Sequence, residues 1–186
     1  MSPLVLASGS PRRAALLRSA GLDFEIAAGS CDERPLPDEP AVELARRLAR
    51  AKAGECRRPE AIVLAADTVV WTDERTVLGK PSDRDEAAAF LRTLAARDHS
   101  VTTAWALAGR VAAEVHHETT TVSFRALSGA DISDYLASDE WTDKSGGYGI
   151  QGRAAGFVTR IVGSYTNVMG LPLAQVVARL REIGSR

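Results

Sequence analysis

Apolar and polar positions along this chain alternate in two kinds of block. Short apolar runs read as strands, and longer stretches with apolar residues three or four apart read as helices. The first run, PLVLA at residues 3–7, predicts a buried strand. In the next stretch, SGSPRRAALLRSAGL, Ser10 suits an N-cap, Pro11 the first helical position and Gly21 a C-terminal stop. These signals predict a helix over residues 11–20. DFEIAA predicts a second strand, and GSCDERPLPDEP a polar, proline-rich loop. Over residues 41–56, Ala41, Leu44, Ala45, Leu48 and Ala51 form an apolar stripe of helical period.

AIVLAA is apolar without alternation and is followed at once by Asp67. It predicts a strand buried on both faces, as in a parallel sheet, with Asp67 at its carboxyl end. TVVWTDERTVLG predicts a hairpin around an Asp-Glu-Arg turn. SDRDEAAAFLRTLAA predicts a helix whose first turn is acidic, as the helix dipole favours. Two β-type segments follow, at residues 100–108 and 110–124. Then come a short helix in SGADISDYLAS, a glycine-rich stretch, a strand near residues 156–162 and a final helix over residues 173–183. The pattern is a mixed α/β chain with no linker, read as one unit over residues 1–186.

Composition narrows the classes. A chain of 186 residues, 45% hydrophobic and 25% charged, can bury a core and reads as a soluble globular protein. The net charge of −1 gives no support to a nucleic-acid partner. No run reaches the ~18 apolar residues of a membrane span. The leading apolar run is too short for a signal peptide and lacks a basic flank. Cys31 and Cys56 have no metal-type spacing and read as two reduced thiols, so a cytoplasmic location is expected.

Candidate chemistry gathers at a few positions. The strand–helix junction ASGSPRR offers the Ser8 and Ser10 hydroxyls, the open N–H groups of a helix start and the guanidinium forks of Arg12 and Arg13. Together these suit phosphate. Two arginines in a first turn oppose the helix dipole, and a bound anion would relieve that cost. Asp67 either caps its own turn or faces a ligand crevice. Lys52 falls within the apolar sector of its helix, where it either snorkels or reaches a cleft. Lys80 sits in the LGKP turn. Glu33, in the loop CDERP, could share a hard divalent cation with Asp67, since such ions take carboxylates plus substrate phosphates.

Other signals are weaker. Gly147, Gly149 and Gly152 spell the G-x-G-x-x-G of a dinucleotide fold, which would suggest an oxidoreductase. The approach EWTDKS is polar, however. A strand-like segment follows where a helix should open, and Pro172 stands near where the ribose-binding acid belongs. The glycines read better as a loop that presents Tyr148 and Gln151 to a ligand. His116 and His117 are strand neighbours that face opposite ways and have no companion ligands. P-loop, G-x-S-x-G and H-E-x-x-H motifs do not occur.

Taken in order, LASGSPRR, CDE, LARAKA around Lys52, AADTVV at Asp67, LGKP at Lys80, DKSGGYGIQG and NVMGLPL closely resemble the Maf family of nucleoside triphosphate pyrophosphatases. The resemblance runs over residues 4–180. It implies a Maf/inosine-triphosphatase-like α/β fold, a mixed sheet with helices and two lobes around a deep cleft. It implies hydrolysis of a nucleoside triphosphate to monophosphate and pyrophosphate with a divalent metal, Mg²⁺ or Mn²⁺. Asp67 matches the family's general base. Ser8, Arg12, Arg13, Glu33, Lys52, Lys80 and Gln151 match its pocket residues, with Glu33 and Asp67 as the metal carboxylates. Arg12, Thr68 and Gln151 match the positions that set substrate choice, in the combination that resembles the dTTP/UTP branch. The 7-methyl-GTP branch carries a bulky aromatic and an acid at the first and last of these. The family's name refers to septum formation, which adds division arrest, with or without turnover, to the expectations. A homodimer is among the arrangements the sequence allows.

Overall fold

The computed structural model describes residues 3–29, 31–73 and 76–184. Seven strands form one mixed sheet, in the order β2-β1-β3-β5-β6-β7 with β4 also on β3. β1 (Leu4–Leu6) lies parallel to β2 (Glu25–Ile26) on one side and to β3 (Ile62–Asp73) on the other. β3, β5 (Asp98–Gly109), β6 (Glu114–Phe124) and β7 (Val158–Val162) then run antiparallel in sequence, and β4 (Thr76–Leu78) folds back on β3. The hairpin expected around Asp73 is present, although its tip, residues 74–75, lies outside the described residues.

The helices follow the stripes that predicted them. α1 (Pro11–Ser19) starts at Pro11, and Gly21 adopts the left-handed conformation (φ 71°) that ends it. Ser10 occupies the N-cap position but makes no side-chain cap, and its N–H instead donates to the Ser8 hydroxyl at 3.3 Å. α2 (Ala41–Glu55) buries Ala41, Leu44, Ala45, Leu48, Ala49 and Ala53, so its stripe passes through Ala49 and Ala53, with Ala51 at the margin. α3 (Arg84–Leu94) is capped by Asp83, whose carboxylate accepts from the Glu86 N–H. α4 (Gly129–Leu136) opens on a capping box between Ser128 and Asp131. α5 (Tyr165–Met169), which the periodicity did not predict, is a five-residue helix capped by Ser164 and closed by Gly170. α6 (Leu173–Gly184) ends the described chain.

The long strands serve two bodies. In one half, α2 packs on one face of the sheet over Val63, Ala65 and Ala104, while α1 and α6 pack on the other over Leu64, Ala66 and Trp105. In the other half, α3, α4 and the glycine-rich stretch enclose Val70, Val101, Val122, Phe124 and Tyr148. Each fully buried leucine or valine here contributes about 1.5–3 kcal/mol. β3 passes from one body to the other, and the site lies where it crosses. No helix among the described residues is long and apolar enough to cross a membrane.

Candidate active site

The crossing leaves a gap in the sheet. β1 pairs with β3 only as far as Leu64, where the Ala7 N–H donates to the Leu64 carbonyl at 2.8 Å. β4 joins the same edge of β3 only at Val70. Between those points no described strand borders that edge, whereas β5 runs unbroken along the other. Asp67 and Thr68 sit in the gap. The reading that placed Asp67 at a strand's carboxyl end is therefore corrected: β3 continues to Asp73, and it is β1 that ends, at Leu6 opposite Leu64. A carboxylate interrupts the apolar run without interrupting the backbone ladder. Successive residues on a strand face opposite ways, so Asp67 points to the α2 side and Thr68 to the α1 side.

Each face has its own polar constellation. On the α2 side, Lys52 lies on the buried stripe of its helix and projects toward the gap. Its Nζ donates to Asp67 Oδ1 at 2.6 Å and to Glu33 Oε1 at 2.5 Å. Lys80 Nζ donates to the other Glu33 oxygen at 3.1 Å. The Lys52 and Asp67 side chains are only 12% and 11% exposed, so water screens their pairing little. Burial works against charge on Lys52, but Asp67 and then Glu33 outweigh it and hold the ammonium above its ordinary range. Burial likewise opposes the Glu33 carboxylate, and its bonds to Lys52 and Lys80 more than offset that, holding it below the ordinary glutamate value.

On the α1 side, the Arg13 guanidinium spans three acceptors. Nε donates to the Gly170 carbonyl at 2.8 Å, Nη1 to Ser8 Oγ at 3.0 Å and Nη2 to Thr68 Oγ1 at 3.1 Å. Burial pulls its pKa down, with Asp67 acting against that pull. Arg12, half-buried, is lowered by burial as well, and Asp143 opposes the shift.

The glycine-rich stretch roofs the gap. Ser145 Oγ donates to the Thr68 carbonyl at 2.9 Å, and the Gly146 N–H to the Gly79 carbonyl at 2.9 Å. Gly146 needs its missing side chain: at φ 72° a Cβ would lie 2.9–3.0 Å from the Val70 side chain. Three-residue and five-residue 3₁₀ turns flank the string, and no α-helix opens on it, so it is not a dinucleotide turn. The expectation that the loop offers Tyr148 to a ligand is corrected in part. Tyr148 touches the cavity wall, but it is 5% exposed and its hydroxyl lies 2.8 Å from His99 Nε2. Its ring packs edge-on against His99 and Phe124, because the phenol serves the core of the second body. Gln151 stays exposed at the rim.

One cavity of about 700 Å³ takes in both faces and the roof. Ser8, Arg12, Arg13, Glu33, Lys52, Asp67, Thr68, Lys80 and Gln151 all line it. Those nine come from six separate stretches of chain, and the gap brings them together. Sequence reasoning missed Asp143, Ser145 and the Gly170 carbonyl. Asp143 and Ser145 fall inside DKSGGYGIQG, where the glycines drew attention; a backbone carbonyl leaves no trace in residue type. Glu33 and Asp67 are the carboxylates that could hold a cation. The described residues contain no group of three or more Asp, Glu, His or Cys placed to cage one. A hard cation held by two carboxylates would take its remaining ligands from water or from substrate oxygens.

The remaining candidates lie elsewhere. His116 stacks on Trp105 with ring centroids 4.4 Å apart, and His117, exposed on the opposite face, meets Arg46 at 3.3 Å. Both cysteines are free thiols.

Comparison with known proteins agrees with this architecture. A solved HAM1 protein from Coxiella burnetii superposes with a TM-score of 0.55 at 17% identity, covering 98% of this chain and all of that one, which supports the fold. A protein of Symbiobacterium thermophilum named dTTP/UTP pyrophosphatase is 46% identical, covering 99% of this chain and 95% of its own length. Proteins of the same name from Pelotomaculum thermopropionicum and a Geobacillus species are 45% and 44% identical, covering 99% of this chain and 98% and 100% of theirs. The sequence profile of the family described as Maf-like protein matches residues 3–183, and the chain belongs to that family.

Proposed function

We propose that this chain is a nucleoside triphosphate pyrophosphatase that hydrolyses dTTP and UTP to the monophosphate and pyrophosphate. The observation that carries the reading is the sheet gap. There a lysine-held carboxylate on one face and a clamped arginine on the other line a single cavity. The relatives named dTTP/UTP pyrophosphatase, similar over nearly the whole length, give the substrate class.

The chemistry follows from the donors. The triphosphate lies against the Ser8–Arg13 turn, with Lys52 and Lys80 toward the other side. These cations offset charge that develops on the leaving pyrophosphate. Asp67 has one oxygen on Lys52, and the other serves the attacking water. Water oxygen bonds to the α-phosphorus, the bond from that phosphorus to the bridging oxygen breaks, pyrophosphate leaves, and Asp67 takes the proton. Glu33 and Asp67 would hold a divalent cation, Mg²⁺ or Mn²⁺, which when bound neutralises phosphate charge. Gln151 carries a donor and an acceptor on one amide, complementary to the adjacent N–H and C=O of uracil and thymine. A nucleotide pool as substrate and two free thiols favour the cytoplasm as the compartment.

A nucleotide panel tests this reading. The protein with Mg²⁺ and each common nucleoside triphosphate, 7-methyl-GTP included, is assayed for pyrophosphate. Release from UTP and dTTP above the others supports it. Binding without release would make the chain a nucleotide-responsive regulator, and release mainly from 7-methyl-GTP would refute the pyrimidine assignment.

A further inference from the structure

Arg13 is held by more than the residues that touch it. The Asn167 carbonyl can only accept, so the Thr103 hydroxyl, 2.8 Å away, donates to it. A threonine hydroxyl has one proton. In the 2.9 Å contact between Thr68 and Thr103, Thr68 is therefore the donor. The Thr68 oxygen is then left to accept from Arg13 Nη2 at 3.1 Å. The same Asn167 carbonyl also accepts from the Gly170 N–H at 2.9 Å, and the Gly170 carbonyl accepts from Arg13 Nε at 2.8 Å. The hydrogen bonds close into a ring: Arg13, Thr68, Thr103, Asn167, Gly170 and back to Arg13.

Asn167 anchors the ring in the sheet. Its side-chain Nδ2 donates to the Val101 carbonyl at 2.9 Å and to Thr120 Oγ1 at 3.0 Å, and its Oδ1 accepts from the Thr103 N–H at 3.2 Å. Thr103 and Asn167 are both fully buried, and neither lines the cavity. Of the five N–H protons on a guanidinium, the ring and Ser8 occupy three. Two remain for an anionic ligand, in a plane set by acceptors on both sides.

We propose that Thr103 and Asn167 are positioning residues for the nucleotide site. They fix the plane of the Arg13 guanidinium through the Thr68 hydroxyl and the Gly170 carbonyl, without meeting substrate themselves. This rests on the reading that the cavity takes a nucleoside triphosphate. Chains of hydrogen bonds in a low-dielectric interior polarise one another, so breaking a remote link weakens the link at the cation.

Thr103→Val keeps the shape and removes the hydroxyl; Thr103→Ser keeps the hydroxyl. Removing the Thr103 hydroxyl unlinks Thr68 from Asn167 and weakens the Thr68 bond to Arg13 by a fraction of its strength, so the KM for UTP rises about threefold in Thr103→Val, with kcat little changed and Thr103→Ser near the parent. In an Arg13→Lys background the valine substitution has no further effect, because lysine lacks the planar fork. An unchanged KM in Thr103→Val, or an equal rise in both backgrounds, overturns the proposal. The exchange rate of the Arg13 Nε–H, read by NMR without substrate, tests the ring independently of turnover. Slow exchange in the parent and fast exchange in Thr103→Val supports the ring; equal exchange refutes it even where the parent releases pyrophosphate. A parent that releases none refutes the enzymatic reading and leaves the exchange result to judge the ring.

Discussion

His99 gives this protein an acid-sensitive joint beneath its glycine-rich roof. The imidazole is 2% exposed, bonded through Nε2 to the Tyr148 hydroxyl and enclosed by Phe124; no partner meets Nδ1. Burial, only weakly opposed by Asp98, pushes its pKa from 6.5 down to about 4. Above pH 6.5 the ring is neutral in both folded and unfolded chains and contributes no pH dependence. As pH falls, the unfolded chain takes up the proton first and the folded chain resists it until about pH 4. Stability is therefore lost across that window, by about 1.4 kcal/mol per unit and roughly 3 kcal/mol in all. Against a typical 5–15 kcal/mol that is a large share. His99→Phe removes the titration. At neutral pH it costs about 1–3 kcal/mol, because the buried Tyr148 hydroxyl loses its partner. Urea unfolding of both proteins from pH 7.5 to 4.5 reads the difference between them, in which other titrating groups largely cancel. The parent should lose its advantage steadily below pH 6.5. A difference that stays flat with pH would refute the buried neutral histidine.

Lys52→Met releases both carboxylates from their shared ammonium. Glu33 then titrates at higher pH, and the acidic limb of the pH–rate profile moves upward; an unmoved limb would show that Glu33 is not tuned by Lys52. Gly146→Ala forces a Cβ into Val70 at 2.9 Å from a left-handed backbone, costing about 1–3 kcal/mol in urea unfolding, and Val70→Ala recovers only the steric part. Gln151→Glu loses the amide donor at the rim and lowers kcat/KM for UTP and dTTP by about tenfold, measured by pyrophosphate release; an unchanged preference would remove Gln151 from base recognition.

Much of this site was legible in the chain. Pro11 and Gly21 marked α1, the alanine–leucine stripe marked α2, and Lys52 on that stripe was out of place for a surface lysine. What periodicity could not give was the gap. β1 is three residues long and β4 joins β3 late, and both facts depend on pairing between distant segments. The AIVLAA run therefore seemed to end at Asp67, where the strand in fact continues with its edge uncovered. Tyr148 was misread for a similar reason. Its neighbours in sequence are glycines, while its partners, His99 and Phe124, lie on β5 and β6. The five-residue α5 is too short for a helical period, yet the Gly170 that closes it supplies the carbonyl that holds Arg13.

In the proposed reaction, Asp67 directs water onto the α-phosphorus of a pyrimidine nucleoside triphosphate in this gap. Turnover of UTP in ¹⁸O-labelled water, followed by mass analysis of both products, tests it most directly, with Asp67→Asn run beside the parent. One labelled oxygen is expected in UMP and none in pyrophosphate, with a rate about 10²–10⁴-fold lower in Asp67→Asn and unfolding little changed. Label in the pyrophosphate, or parent-like turnover in Asp67→Asn, would contradict it.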